Sequence, residues 1–342
     1  MRHLRRPSAS GAAAVAILAA AALLSVQGCD AGTAAQATPV TKHALTVGEA
    51  QAVFQAYLSS SDAAARQGDA TTGLGNVADA AWEILHGQYT AFASSHIPVP
   101  RYQYGTPGFI VPALSGYPRW FVVSVPRRPA SGGAASTTLM AFEQYKSGEI
   151  WTLNGFAALP RGQQLPALAR DSAGYALPLS TRDPDLLVPP DITGATQAAV
   201  ADDGSASAAA PLVAPGPDTT GMYSAYSAIA SGQAAKGLSY TWYLEGAAFP
   251  VFPLRLTGGG ALVLYGMYLN TTNEHPGVAM GTAIPVPLNF TPLLAAPTEV
   301  GYHDVIADWT YEFAAIDPAA SARGGKLDVI AATGGPSYGH AY

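Results

Sequence analysis

The sequence predicts an α+β fold of two tandem related domains, each with N-terminal helices packed on a curved antiparallel sheet. Three observations carry this expectation. Apolar residues recur at helical spacing over 46–58 and 77–93, and the stretches 191–200 and 219–229 echo the sequence of 45–53 and 72–84 in the second half. β-branched and aromatic runs follow the helices both times. A Pro-rich passage from Pro160 to Pro190 separates the two series. Helices followed by strands, rather than alternating with them, is the α+β plan.

The first thirty residues concern address rather than fold. Arg2, Arg5 and Arg6 precede an uncharged run over 11–26, which has the form of an export signal. That run is shorter than the roughly 20 residues a membrane-spanning helix needs. Val26-Gln27-Gly28-Cys29 resembles the bacterial lipobox, in which the Cys is lipidated and becomes the first mature residue. Gln27 departs from the small residue usual at its position. The reading is therefore a signal peptide over 1–28, then a lipidated Cys29 and flexible tether over 29–45. Arg5-Arg6 suggests twin-arginine export, but Pro7-Ser8-Ala9-Ser10 does not resemble the rest of that motif, which favours the general secretory route. Lipidation supplies at least two acyl chains, enough for stable anchoring. It also consumes the only Cys in the chain, so core packing rather than disulfides must hold the exported part.

The first domain is expected over 46–185. Thr46-Val-Gly-Glu49 has the pattern of a capping box, with Val53, Phe54, Tyr57 and Leu58 at helical spacing behind it. A second helix over 77–93 carries Trp82, Leu85, Tyr89 and Phe92. Strands are expected over 119–125, ending at Pro126, and over 137–145 and 149–157 about the turn Lys146-Ser147-Gly148. The second domain, over 186–342, repeats the order. Its helices fall at 191–200 and 219–229, and its strands at 238–244, 249–256, 261–269, 300–316 and 326–331. Residues 201–217 read as a mobile low-complexity loop, and 273–297, with five Pro, as an irregular insertion.

Cleavage at Cys29 leaves fourteen Lys and Arg against twenty-three Asp and Glu, a balance of −9. That disfavours nucleic-acid binding, which needs a basic footprint. The six mature His have no partner at metal-ligand spacing, so no metal or other cofactor is expected. Gly335-Pro-Ser-Tyr-Gly339 matches the hydrolase elbow, but only three residues follow Gly339, too few for the helix that motif requires, and the segment reads as a frayed tail. Lys146-Ser147-Gly148 has no accompanying Ser-x-x-Lys and reads as a hairpin turn. No catalytic residue is assigned.

The richest polar set lies on the last long strand. Tyr302, Asp304, Ile306, Asp308, Thr310 and Glu312 alternate onto one face, with Val305, Ala307, Trp309, Tyr311 and Phe313 on the other. The acidic face either meets water or lines a pocket in which Asp304 and Asp308 form a carboxylate pair; Glu143 is the corresponding acid of the first half. These three are the pocket candidates. The mature chain is similar to uncharacterised actinobacterial lipoproteins that carry a domain of unknown function, through its lipobox, Ala/Thr tether and tandem layout. A curved sheet around N-terminal helices also resembles the NTF2-like cone. Neither resemblance supplies site residues. The expectation is a lipid-anchored protein on the extracytoplasmic face of the cell membrane. It would be non-catalytic and bind a small ligand or another envelope protein. A hydrolase or isomerase using second-domain carboxylates and a structural scaffold are the alternatives.

Overall fold

A computed structural model describes residues 43–246, 249–277, 283–294, 300–301 and 303–342. Cys29, the signal peptide, most of the tether and Tyr302 lie outside the described residues. Residues 42–342 form one compact unit. Its helices are α1 (Val47–Gln67), α2 (Ala70–Leu74), α3 (Asp79–Ser95), α4 (Thr193–Asp203) and α5 (Thr220–Ala234). The strands of the leading half are β1 (Tyr102–Tyr104), β2 (Gly108–Ile110), β3 (Arg119–Pro129), β4 (Ser136–Gln144) and β5 (Thr152–Ala158). Those of the trailing half are β6 (Ser239–Gly246), β7 (Phe252–Arg255), β8 (Ala261–Glu274), β9 (Ile284–Pro285), β10 (Val300–Gly301), β11 (Asp304–Asp317) and β12 (Asp328–Ala341). The mixed α+β architecture with leading helices is as expected.

The capping box forms at the start of α1: the Glu49 amide donates to Thr46 Oγ1 at 3.2 Å, and the Thr46 amide to Glu49 Oε2 at 2.7 Å. Gly68 ends that helix in the left-handed region at φ 65°, where glycine carries no Cβ penalty. β3 runs on through Pro126 instead of stopping there. The Pro126 carbonyl accepts from the Gly105 amide, so its missing N–H faces the gap between β1 and β2 and breaks no ladder bond.

Each half builds a ladder of its own. β1 and β2 pair with the C-terminal end and the middle of β3, which continues into the meander β3-β4-β5. β6 and β7 pair with the C-terminal and N-terminal parts of β8, which continues into β8-β11-β12. The last strands of both meanders meet through Ala158 and Ala332. Among the described residues this gives one ten-stranded sheet, ordered β1-β3-β4-β5-β12-β11-β8-β6 with β2 on β3 and β7 on β8; β9 and β10 form a separate pair.

Strand spacing shows that the sheet folds back on itself. Six steps across a flat sheet from β3 to β7 would span roughly 29 Å, yet the Trp120 and Phe252 rings lie 5.3 Å apart. One core cluster accordingly joins Val122, Leu139 and Ala141 of the first half to Leu254, Leu264 and Ala314 of the second. A second cluster packs α1 and α3 on β3–β5 through Phe54, Ile84, Phe121 and Phe142. A third packs α4 and α5 on β8 and β11 through Val200, Met222, Met267 and Phe313.

Helix α3 also reaches across to the trailing half. A Cβ on Gly87 would lie 2.1 Å from the Pro336 carbonyl oxygen, so this approach requires glycine.

Two segments differ from expectation. The Ala-rich stretch 201–217 is ordered: the Leu327 amide donates to Leu212 O, the Ala214 amide donates to Leu327 O, and Val213 is buried. Low-complexity composition hides this backbone pairing. Residues 335–339 are not a frayed tail but the interior of β12, paired along β11. Ser337 is the extra residue of a bulge there and donates to Asp308 O at 3.3 Å, which is no hydrolase elbow.

Candidate functional site

The start of α3 is hooked to the sheet before the helix begins. Val77 bridges Leu153 in parallel; the Leu153 amide donates to Asn76 O, and the Ala78 amide to Leu153 O. Asp79 therefore begins α3 beside Asn154 of β5. Its backbone is held at φ 51°, a conformation that costs a non-glycine residue about 1–2 kcal/mol.

Asn154 is the centre of the arrangement. Its Nδ2 donates to Asp79 Oδ2 at 2.5 Å and to Glu143 Oε2 at 3.2 Å, so one amide holds two carboxyls from different elements. Thr152 Oγ1 donates to Asn154 Oδ1 at 2.9 Å, which fixes which end of the amide faces the acids. Glu143, on β4, is paired in register with Thr152. These residues floor a cleft of about 550 Å³, with Tyr145, Ile150 and Pro250 among its walls. Lys146 pairs with Glu149 at 2.9 Å, and among the described lining residues none is Lys, Arg or His.

The electrostatics follow from burial without a compensating cation. Burial pushes the Glu143 carboxyl up to about 7, and the nearby Asp79 adds to the rise. Burial also raises Asp79, against the opposing Asn154 hydrogen bond. Behind them Glu312 of β11 is buried, and its Oε1 has no partner among the described residues. A Cβ on Gly155 would sit 2.3 Å from Glu312 Oε2, so only glycine leaves room for this carboxyl. Burial first, then Asp79, holds Glu312 well above the usual carboxylate range.

Of the three acids expected to matter, the structure places only Glu143 in the cleft. Asp304 and Asp308 do not line it and do not form a shared site. Asp304 Oδ2 lies 3.5 Å from His303 Nδ1, whereas Asp308 Oδ1 accepts from the Thr271 amide at 3.2 Å. Both are half-buried rather than open to water, and burial raises Asp308. The alternation predicted for β11 is present: Val305, Ala307 and Phe313 are buried on one face, Thr310, Glu312 and Ala314 on the other. What differs is the cover, because α3 from the leading half packs near the Glu312 face, where the sequence suggested solvent or an open pocket.

Asp79 and Asn154 were missed. The available signal was Asn154-Gly155, two poor strand formers inside an apolar strand. A smaller interior void near Tyr57, Tyr104 and Arg127 holds only about 50 Å³, the scale of a water or two. Among the described residues no group of three or more His, Cys, Asp or Glu could hold a metal ion.

The fold and cleft thus define an α+β protein with an uncompensated acidic pocket. Residues 41–335 match the family described as a domain of unknown function (DUF8094), and the chain belongs to that family. It is 24% identical over 230 residues to a protein named "Uncharacterized lipoprotein" from Streptomyces avermitilis. That similarity covers 66% of this chain and 64% of the relative, so the chain spans less than two thirds of the relative it matches. No solved structure matches.

Proposed function

We propose that this protein is an exported, lipid-anchored envelope component that binds a small ligand, without turning it over, in the cleft floored by Asp79, Glu143 and Asn154. The observation that carries the binding reading is Glu143: nine-tenths buried, lining a cavity, and without a cation to balance it. The anchor reading rests on Cys29 in its lipobox-like setting and on the relative's name. It places the protein on the extracytoplasmic face of the cell membrane. Cys29→Ser should release the protein from washed membranes while its unfolding transition stays unchanged. Equal retention of variant and wild type rejects the anchor. For the cleft, native mass spectrometry of protein purified from its own membranes should show a retained small molecule that Asn154→Leu loses.

A hydrolase or isomerase is the second reading, supported by a carboxyl poised near pH 7, where a general acid works well. It requires conversion of the bound molecule, so recovery of that molecule unchanged after incubation favours binding alone.

The division into 46–185 and 186–342 is proposed as an internal duplication. Its support is the equivalence of β1 through β5 with β6, β7, β8, β11 and β12 in pairing and order. An experimental structure tests it: these strands must superpose with the same connectivity. The sheet curvature measured there decides whether each half is an NTF2-like cone.

A further inference from the structure

We propose that the ligand of this cleft is an alkylammonium cation, its charged end on Asp79 and Glu143 and its alkyl part along Tyr145, Ile150 and Pro250. The proposal rests on the cleft being a ligand site. Two independent observations point to such a ligand. Glu143 is 9% exposed and lines the cleft, and among the described residues its carboxyl has one side-chain donor, Asn154 Nδ2 on Oε2, and no Lys, Arg or His in the lining to balance its charge. Tyr145 and Ile150 on the cleft wall are 69% and 63% exposed, although both are large apolar side chains. A carboxyl drawn largely out of water with no cation beside it asks for a positive charge, and an exposed apolar wall asks for something to cover it. A cationic group carrying a short hydrocarbon meets both demands.

The surrounding charges have the same sense. Asp79 comes from α3, Glu143 from β4, Glu149 from the segment before β5 and Glu312 from β11; Lys146 is already paired with Glu149. An ammonium supplies up to three N–H donors and the missing positive charge. A divalent metal fits less well. Calcium takes six to eight oxygens, whereas Asn154 turns its N–H donors toward both carboxyls and engages its oxygen with Thr152. The phenol ring of Tyr145 adds a face for a cation.

Binding would also move a proton. Glu143 holds its proton up to about pH 7 in the free protein, and a cation beside it favours the carboxylate. Uptake of the ligand at pH 6–7 should therefore release a proton to the buffer.

The test uses the full-length protein in detergent micelles and titration calorimetry with 1,5-diaminopentane. 1,5-Pentanediol and glutarate serve as neutral and anionic counterparts, and calcium chloride as competitor. The diamine should bind saturably, with proton release seen as a heat that depends on the buffer. Glu143→Gln should weaken it by about tenfold or more, the scale of a lost hydrogen bond to a charged group. Pentanediol and glutarate should bind at least as weakly as the diamine does to that variant. Failure of the diamine to bind, pentanediol binding as tightly as the diamine, or an unchanged Glu143→Gln affinity overturns the cation proposal. So does displacement of the diamine by calcium at equal concentration. Binding of pentanediol or glutarate that Tyr145→Ala abolishes would keep the cleft as a ligand site while removing its cation preference. If no probe binds, both fall.

Discussion

Glu143→Gln should make the protein less sensitive to rising pH. In the folded chain burial and Asp79 lift the Glu143 carboxyl from its ordinary 4.5 to about 7. The folded state thus holds the proton more tightly than the unfolded one. The resulting stabilisation is complete below pH 4.5 and is lost as pH rises to about 7. At roughly 1.4 kcal/mol per pH unit, the loss amounts to about 3 kcal/mol by pH 8. Glutamine keeps an oxygen for Asn154 Nδ2 and cannot ionise, so its stability should lack this component. With an unfolding entropy near 2.1 cal/mol/K per residue over residues 42–342, 3 kcal/mol corresponds to about 5 °C in Tm. Thermal unfolding of wild type and variant at pH 5 and pH 8 supplies the four numbers needed. Part of the loss has already occurred at pH 5, so about 2.5 kcal/mol separates the two pH values, and the fall in Tm between them should be about 4 °C smaller in the variant. An equal fall in both proteins would refute the reasoning, because it would mean that Glu143 ionises in the cleft as it does in water.

Two other substitutions probe the packing. Gly87→Ala forces a methyl into the Pro336 carbonyl and should destabilise by about 1–3 kcal/mol in urea unfolding, while an alanine at exposed Gly48, which has open space, should be tolerated. Asp317, fully buried and raised to about 7 by burial, accepts from the Val188 amide at 3.3 Å. Asp317→Ala orphans that N–H and should cost about 1–3 kcal/mol at pH 5, measured the same way.

The helices were legible because their information is local. Thr46 and Glu49 lie three residues apart and need nothing else to form a cap, and Phe54 and Tyr57 mark the buried face through their spacing. The β4–β5 hairpin was legible for the same reason: Gly148, at φ 83°, turns it. The face pattern of β11 could also be read, but not which face is wet. That depends on α3, some 220 residues earlier, lying over the strand. The cleft was less accessible still. Asp79, Glu143 and Asn154 come from a helix, a strand and the next strand, and each alone looks like an ordinary polar residue. Glu143 could be singled out as an acid in an apolar strand; the amide that ties it to Asp79 could not.

The contact between Gly87 and Pro336 joins residues about 250 apart. A ribosome adding 5–20 residues per second finishes β12 roughly 12–50 s after it makes the middle of α3. Throughout that interval the helix has no partner on its far side, and the slot for Glu312 has no occupant. Long-range closure of this kind makes folding slow and leaves apolar surface open to the wrong neighbours. A chain truncated before Asp328 lacks β12, the strand that lies against this side of α3, and leaves Gly87 without its close neighbour.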